Sequence, residues 1–175
     1  MTHHHRRFAL ILALTLLAVL PAMAAAGEIG NGKETTAAAA TAMPADHGIF
    51  PPDAVQWQDG PPSIEKGAKF AVLEGNPAQE GLFTMRLWLP DGFQIKPHSH
   101  PAVEHVTVVS GTFNVGMGDT FDASKGTVLP TGTFAFLAPQ MHHYAWATGD
   151  TVIQLHGVGP WQINYVNPAD DPRKR

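Results

Sequence analysis

The sequence of 175 residues contains no cysteine, and only 15% of its residues are charged. Without cysteine the chain has no disulfide framework, no iron–sulfur cluster, no thiolate zinc site and no cysteine nucleophile. It also lacks a glycine-rich phosphate loop and the nucleophile elbow of serine hydrolases. Basic residues number 11 and acidic residues 15, a balance that does not favour nucleic acid as a partner. The chain instead contains an unusual 10 histidines and 15 prolines.

Residues 1–26 have the pattern of a secretory signal sequence. A short basic start at 3–7 precedes an apolar run at 8–20, and small residues at 22–26 form a cleavage site. The apolar run is too short to span a bilayer comfortably. We therefore expect residues 1–26 to be removed on export, with no membrane attachment afterwards and a periplasmic or secreted location.

The rest of the chain has the pattern of one β-domain. Residues 27–48 are rich in Gly, Ala and Thr and predict a flexible linker. From Lys69 onward, short apolar runs alternate with turn residues and no helical stripe is present. We therefore expect an all-β domain at 49–170 and a polar tail at 171–175. The predicted strands lie at residues 69–73, 82–89, 94–98, 103–109, 112–117, 127–129, 133–137, 143–147, 152–157 and 162–166.

The segment after Gly92 contains closely spaced metal-ligand residues. His98 and His100 are two residues apart, and Glu104 follows at an even offset. Side chains alternate between the two faces of a strand, so His98 and His100 share one face, about 6.6 Å apart along the backbone. Two imidazoles at this separation can reach one metal ion with bonds of about 2.1 Å.

This spacing resembles the first motif of the cupin superfamily. That motif is Gly, five residues, His-x-His, three or four residues, Glu, six residues, Gly. Every fixed position matches, at Gly92, His98, His100, Glu104 and Gly111.

The second cupin motif matches in part. It is Gly, five residues, Pro-x-Gly, two residues, His, three residues, Asn, and Gly132 and His143 occupy its first Gly and its His. The usual Pro, Gly and Asn are replaced by Ala138, Gln140 and Ala147. The spacing favours His143 as the fourth metal ligand, with the neighbouring His142 as the alternative.

The resemblance implies a cupin-type jelly-roll β-barrel with an N-terminal arm. It also implies one divalent metal ion held by His98, His100, Glu104 and His143, with open positions for water, substrate or oxygen. Three imidazoles and one carboxylate suit Fe, Mn, Ni, Zn or Cu, and are too rich in nitrogen for Ca or Mg. No organic cofactor is expected. Because cupin-like barrels are commonly dimers, a homodimer is a further expectation.

The expected function is that of a metal-dependent enzyme acting on a small organic molecule. A dioxygenase is the first hypothesis, and an isomerase or a decarboxylase the next. The candidate catalytic residues are Glu104, which can leave the metal to act as a base, and His156, which shares a strand face with Gln154. The alternative is a non-catalytic, metal-dependent module that binds a small molecule or a sugar, or acts as a sensor. The aromatic residues Tyr144, Trp146, Trp161 and Tyr165 are interpreted as packing or interface residues.

Overall fold

The structure is a computed structural model that describes residues 47–175. The predicted signal sequence at 1–26 and the predicted linker up to residue 46 lie outside this range. Within it, no helix has the length and apolar character that crossing a membrane requires.

The described residues form β-strands joined by turns and short 3₁₀ segments, without an α-helix. The predicted all-β fold class is therefore confirmed. The strands are β1 Gln58–Asp59, β2 Lys69–Gly75, β3 Gly81–Leu89, β4 Gln94–Ser99, β5 Glu104–Met117, β6 Thr127–Pro130, β7 Phe134–Leu137, β8 His143–Gly159 and β9 Asn164–Tyr165. The 3₁₀ segments are Pro52–Ala54, Ala123–Lys125, Pro168–Asp170 and Pro172–Lys174.

Two long strands, β5 and β8, organise the barrel. They pair antiparallel along nearly their whole lengths, from His105 opposite His156 to Met117 opposite His143. Each strand changes its other neighbour halfway. The first half of β8 pairs with β4 and the second half with β3, while the first half of β5 pairs with β7 and the second half with β6. The two strands thus belong to two sheets, β1-β2-β3-β8-β5-β7 and β9-β4-β8-β5-β6, which is jelly-roll architecture.

Two of the gaps between predicted strands are bends inside continuous strands. Gly111 lies within β5 and Gly149 within β8, near the level where both strands change partners. Gly111 has a φ of +78°, and a Cβ at this position would lie 2.5 Å from the carbonyl oxygen of Asp150. The strands predicted at 103–109 and 112–117 are therefore one bent strand, because glycine lets the chain turn from one sheet to the other without ending its pairing.

The hydrophobic core fills the inside of the barrel and is formed by the side chains of alternate residues along the strands. On β3, Phe83, Met85, Leu87 and Leu89 are buried, whereas the residues between them face outward. Met85 and Leu87 therefore share the core face of β3. Leu87 is 1% exposed and Leu89 is 0% exposed, and burying a side chain of this size contributes about 1.5–3 kcal/mol to stability.

The end of the chain packs against the barrel. Residues 171–175 were predicted as a polar tail, and their composition is polar, but Asp171 is only 5% exposed. The guanidinium of Arg173 donates hydrogen bonds to both carboxylate oxygens of Asp171, at 2.7 and 2.9 Å, and to the carbonyl oxygen of Ile163 at 3.0 Å. This pair fastens the C-terminal segment beside the residues that lead into β9.

Candidate metal centre

Three neighbouring strands place the predicted ligands at one end of the barrel. His98 lies on β4 with His100 just beyond it, Glu104 begins β5 and His143 begins β8. His98 is the direct register partner of His143 across the β4–β8 pair. Nitrogen atoms of His98, His100 and His143 all lie within 4.8 Å of one another, and the three residues are 2–3% exposed. The register of the sheet therefore brings together histidines that are distant in sequence.

Glu104 completes this group. Its Oε1 atom lies 3.5 Å from Nε2 of His100, and its Oε2 atom lies 3.3 Å from Nε2 of His143. All four predicted ligands thus face the same point inside the barrel.

Backbone carbonyl groups orient the three imidazole rings. The Nδ1 atoms of His98, His100 and His143 lie 2.7, 2.6 and 3.0 Å from the carbonyl oxygens of Lys96, Gln162 and Met141, in that order. A carbonyl oxygen only accepts hydrogen bonds, so Nδ1 carries the proton in each ring. Nε2 is then the atom directed at the centre. Fixing one nitrogen through an outer hydrogen bond is the usual arrangement of metal-binding histidines.

The electrostatics of the group keep its lone pairs available. Burial, together with the neighbouring rings of His143 and His100, lowers the pKa of His98 to about 3. Burial also lowers the pKa of His100. Burial by itself would raise the pKa of Glu104, but its contacts with His143 and His100 outweigh burial and lower that pKa to about 2. At neutral pH the centre therefore holds neutral His98 and His100 rings beside an ionised carboxylate.

The residues present fit a metal ion. Nε2 of His100 is buried and has no hydrogen-bond partner among the described residues, which is costly for a polar atom that is removed from water. A divalent cation at the centre would satisfy this nitrogen and the nearby Nε2 atoms of His98 and His143, and would offset the charge of Glu104. Three imidazole nitrogens with one carboxylate favour a transition metal over Ca or Mg.

The turn before His143 departs from the second motif in its residues. Gln140 stands where the motif has glycine, and its φ is +61°, in the left-handed region. Its N–H donates a 2.8 Å hydrogen bond to the carbonyl oxygen of His100. The turn therefore connects the segment that carries His143 to the segment that carries His98 and His100.

Residues 48–164 match the family described as "Domain of unknown function (DUF4437)". The chain belongs to this family. The match extends from the N-terminal arm to the first residue of β9 and includes all four residues of the centre. No curated protein matches the DUF4437 chain.

Solved structures show which fold this DUF4437 chain shares. It is similar to an RmlC-like cupin from Shewanella frigidimarina NCIMB 400, with 23% identity and a TM-score of 0.51 over 65% of this chain and 91% of that chain. It is also similar to the polyketide cyclase RemF from Streptomyces resistomycificus, with 14% identity and a TM-score of 0.56 over 70% of this chain and 87% of that chain. At these identities the similarity establishes the cupin fold and not an activity. The predicted cupin-type jelly-roll fold is thereby confirmed.

His142, the alternative fourth ligand, lies outside the cluster of the DUF4437 chain. Its Nδ1 atom is 2.6 Å from a carboxylate oxygen of Asp119, and its side chain is 45% exposed. His143 is the residue that faces the centre, because adjacent positions at the start of β8 point to opposite sides of the strand.

His156, a predicted catalytic residue, does not line the cavity beside the cluster. Its neighbour Leu155 lines that cavity and is 1% exposed. The ring of His156 stacks on His105 with a centroid distance of 4.7 Å and an interplanar angle of 10°, and it borders a smaller void of about 10 Å³. The side chain of His156 points away from the cavity beside the cluster, because the odd-numbered residues of this part of β8 are the ones that point inward.

The cavity beside the cluster is small and apolar. Its volume is about 20 Å³, which is room for one or two water molecules. Apart from the four candidate ligands and Trp161, its lining consists of aliphatic and phenyl side chains. Of the predicted catalytic residues, only Glu104 contacts this interior.

Two aromatic residues that were interpreted as packing or interface residues lie against the cluster. Trp161 stacks on His100 with a centroid distance of 5.4 Å and an interplanar angle of 23°. The ring of Tyr165 lies 6.0 Å from that of His98, its register partner across β4 and β9. No spacing in the sequence links these residues to the histidines, so only strand pairing reveals their position. Tyr144 and Trp146 instead pack with Phe121.

Proposed function

We propose that this protein binds one divalent transition-metal ion through His98, His100, Glu104 and His143. The observation that carries the proposal is the convergence of three Nε2 atoms and a carboxylate on one buried point, with each Nδ1 held by a backbone carbonyl. Such a cluster of lone pairs is stabilised by a cation at its centre. The candidate ions are Fe, Mn, Ni, Zn and Cu.

The proposed activity is that of a metal-dependent enzyme that acts on a small organic molecule, with a dioxygenase as the first hypothesis. A bound ion of this kind supplies Lewis acidity and, when it is redox-active, electrons for oxygen chemistry. The protein itself orients the ligand rings and surrounds the site with apolar walls that exclude water. Glu104 is the carboxylate that can accept a proton from a substrate held there. RemF, a polyketide cyclase, is an enzyme with this fold, which supports the enzyme class without transferring a substrate.

A non-catalytic binding module is the second candidate. It is favoured by the lining of the cavity, which holds no ionisable side chain beyond the four candidate ligands among the described residues. It is also favoured by the cavity volume of about 20 Å³, which leaves little space for an organic substrate.

Elemental analysis of the purified protein tests the metal proposal. We expect about one ion per chain in the wild type and in His142→Ala, the matched control beside the cluster. We expect His98→Ala and His143→Ala to retain almost no metal. Equal metal content in all four proteins would overturn the proposal.

Turnover under air then separates the two functional candidates. The iron- or manganese-loaded protein is incubated with small organic candidate substrates, and both oxygen consumption and product are followed. Product formation that is lost in His98→Ala supports the enzyme. Reversible ligand binding without product supports the binding module.

We also propose export to the periplasm or the outside of the cell, on the pattern of residues 1–26 alone. Exported proteins fold where Zn and Cu compete with Fe and Mn for nitrogen ligands, and affinity favours Zn and Cu. The metal content should therefore differ between protein made with residues 1–26 and protein made without them. Cell fractionation locates the first form, and identical metal content in both forms would contradict this proposal.

A further inference from the structure

The interior of the barrel limits which molecules can reach the candidate metal. The cavity beside the cluster has a volume of about 20 Å³. Its walls include Ile95, Phe113, Val115 and Ile153, which lie on β4, β5 and β8 and have backbones held by sheet hydrogen bonds. A close-packed sheet interior of this kind resists expansion.

Trp161 also lines this cavity, but its backbone is not held in a strand as those of these four wall residues are. It lies between β8 and β9, outside any strand. Its ring stacks on His100, and it borders both the cavity beside the cluster and the second void of about 10 Å³. His100, Glu104 and Leu155 also border both spaces, but the indole is the largest of these side chains. Removing it would join the two spaces beside His100.

The scarcity of polar groups in the cavity lining also limits which ligands can bind. Nε1 of Trp161 is buried without a hydrogen-bond partner among the described residues. It is the one side-chain donor of the lining apart from the candidate ligands. A hydroxyl group brought into this interior finds no other partner, and each unpaired hydroxyl costs roughly tenfold or more in affinity.

We propose that this site takes a small ligand with one metal-binding group and an otherwise apolar body, and that Trp161 sets its maximum size. The ligand class excludes sugars and sugar acids, because their hydroxyl groups would remain unpaired. This inference rests on the proposed metal function, since the metal supplies the anchoring contact.

Protein loaded with Co(II) tests the inference through its visible d–d absorption, which changes when a ligand binds the ion. Three probes are titrated: azide, which is small; benzoate, which is apolar and large; and gluconate, which carries many hydroxyl groups. For the wild type we expect saturable binding of azide and no binding of benzoate or gluconate over the same concentration range.

The variant Trp161→Ala should bind benzoate at least about tenfold more tightly than the wild type. Trp161→Leu, which keeps an apolar filler, gives the same comparison if the alanine variant does not fold. Trp88→Ala is the matched control, because Trp88 faces outward on β3 and does not border the cavity. It should behave as the wild type does.

The possible results distinguish a failure of this inference from a failure of the proposed metal binding on which it rests. No Co(II) absorption in any of the folded proteins would remove the metal proposal and this inference with it. Co(II) absorption together with gluconate binding by the wild type, or with equal benzoate binding in the wild type and in Trp161→Ala, would overturn the inference alone.

Discussion

The N–H of Gln140 donates a 2.8 Å hydrogen bond to the carbonyl oxygen of His100. This bond joins the turn before His143 to the segment that carries the first two candidate ligands. To make it, Gln140 adopts a φ of +61°, a conformation that costs a non-glycine residue about 1–2 kcal/mol. The hydrogen bond thus holds two parts of the candidate metal centre together at a local conformational cost.

Replacing Gln140 with glycine should stabilise the protein. Glycine adopts the left-handed conformation freely and keeps the N–H, but it gains entropy in the unfolded chain, so the net increase in the free energy of unfolding is about 0.5 kcal/mol. Gln140→Ala, which keeps the Cβ, is the control and should show no such gain. Chemical denaturation of the three proteins measures the difference, and a less stable glycine variant would contradict the assignment of strain.

Substituting alanine at two motif glycines should have unequal costs. Gly111 and Gly132 both have positive φ, at +78° and +87°. A Cβ at Gly132 meets no atom within 4 Å, whereas a Cβ at Gly111 would lie 2.8 Å from Cα of Thr151. Gly132→Ala should therefore cost about 1–2 kcal/mol from the backbone alone, and Gly111→Ala about 1–3 kcal/mol more from the collision. Equal losses in denaturation midpoint would show that the bend in β5 is not tightly packed.

Metal removal should lower thermal stability. A ligand present at a hundred times its dissociation constant stabilises the folded state by about 2.7 kcal/mol, which for a domain of this size corresponds to a midpoint shift on the order of 10 °C. Adding a chelator to the wild type should reverse this shift. Calorimetry with and without chelator makes the measurement. His142→Ala should respond as the wild type does, whereas a chelator response in His143→Ala would contradict the proposed ligand set.

The stacked rings of His105 and His156 should make the stability of the protein depend on pH. Burial, and then the neighbouring His105, lower the pKa of His156 in the folded protein, while a histidine in the unfolded chain titrates near 6.5. Between these two values the unfolded chain binds more protons, so the free energy of unfolding falls as the pH drops below about 6.5. His156→Gln should lose less stability than the wild type between about pH 7.5 and about pH 5.5. Urea denaturation at both pH values provides the comparison, and an equal or larger loss in the variant would refute this account.

Alternation along a strand explains which parts of the site were predictable. His98 and His100 are two residues apart, so a local rule places them on one face without knowledge of the fold. The same rule places Gln154 and His156 together, but it does not say which face of β8 is the interior. That depends on pairing with β3 and β5, which directs Ile153 and Leu155 inward. The shared face of Gln154 and His156 was therefore predictable, whereas its outward direction was not.

The positions of glycine in the sequence also leave the strand boundaries undecided. Gly92 and Gly132 lie beside chain reversals, whereas Gly111 lies inside a strand that continues into the second sheet. A glycine with positive φ can end a strand or bend it, and the residues alone do not distinguish these outcomes, because the difference depends on whether the partner strand bends at the same level.

The amino-acid order by itself determined the all-β class, the turn-rich strand pattern and the shared face of His98 and His100, since each follows from local periodicity and spacing within one segment. Only the tertiary structure decided that His143 rather than His142 faces the centre, that Trp161 and Tyr165 lie against the histidines, and that the cavity is nearly filled. These features arise from the register between strands that are distant in sequence and from side-chain volumes that meet inside the barrel. Short-range pattern carries no information about either.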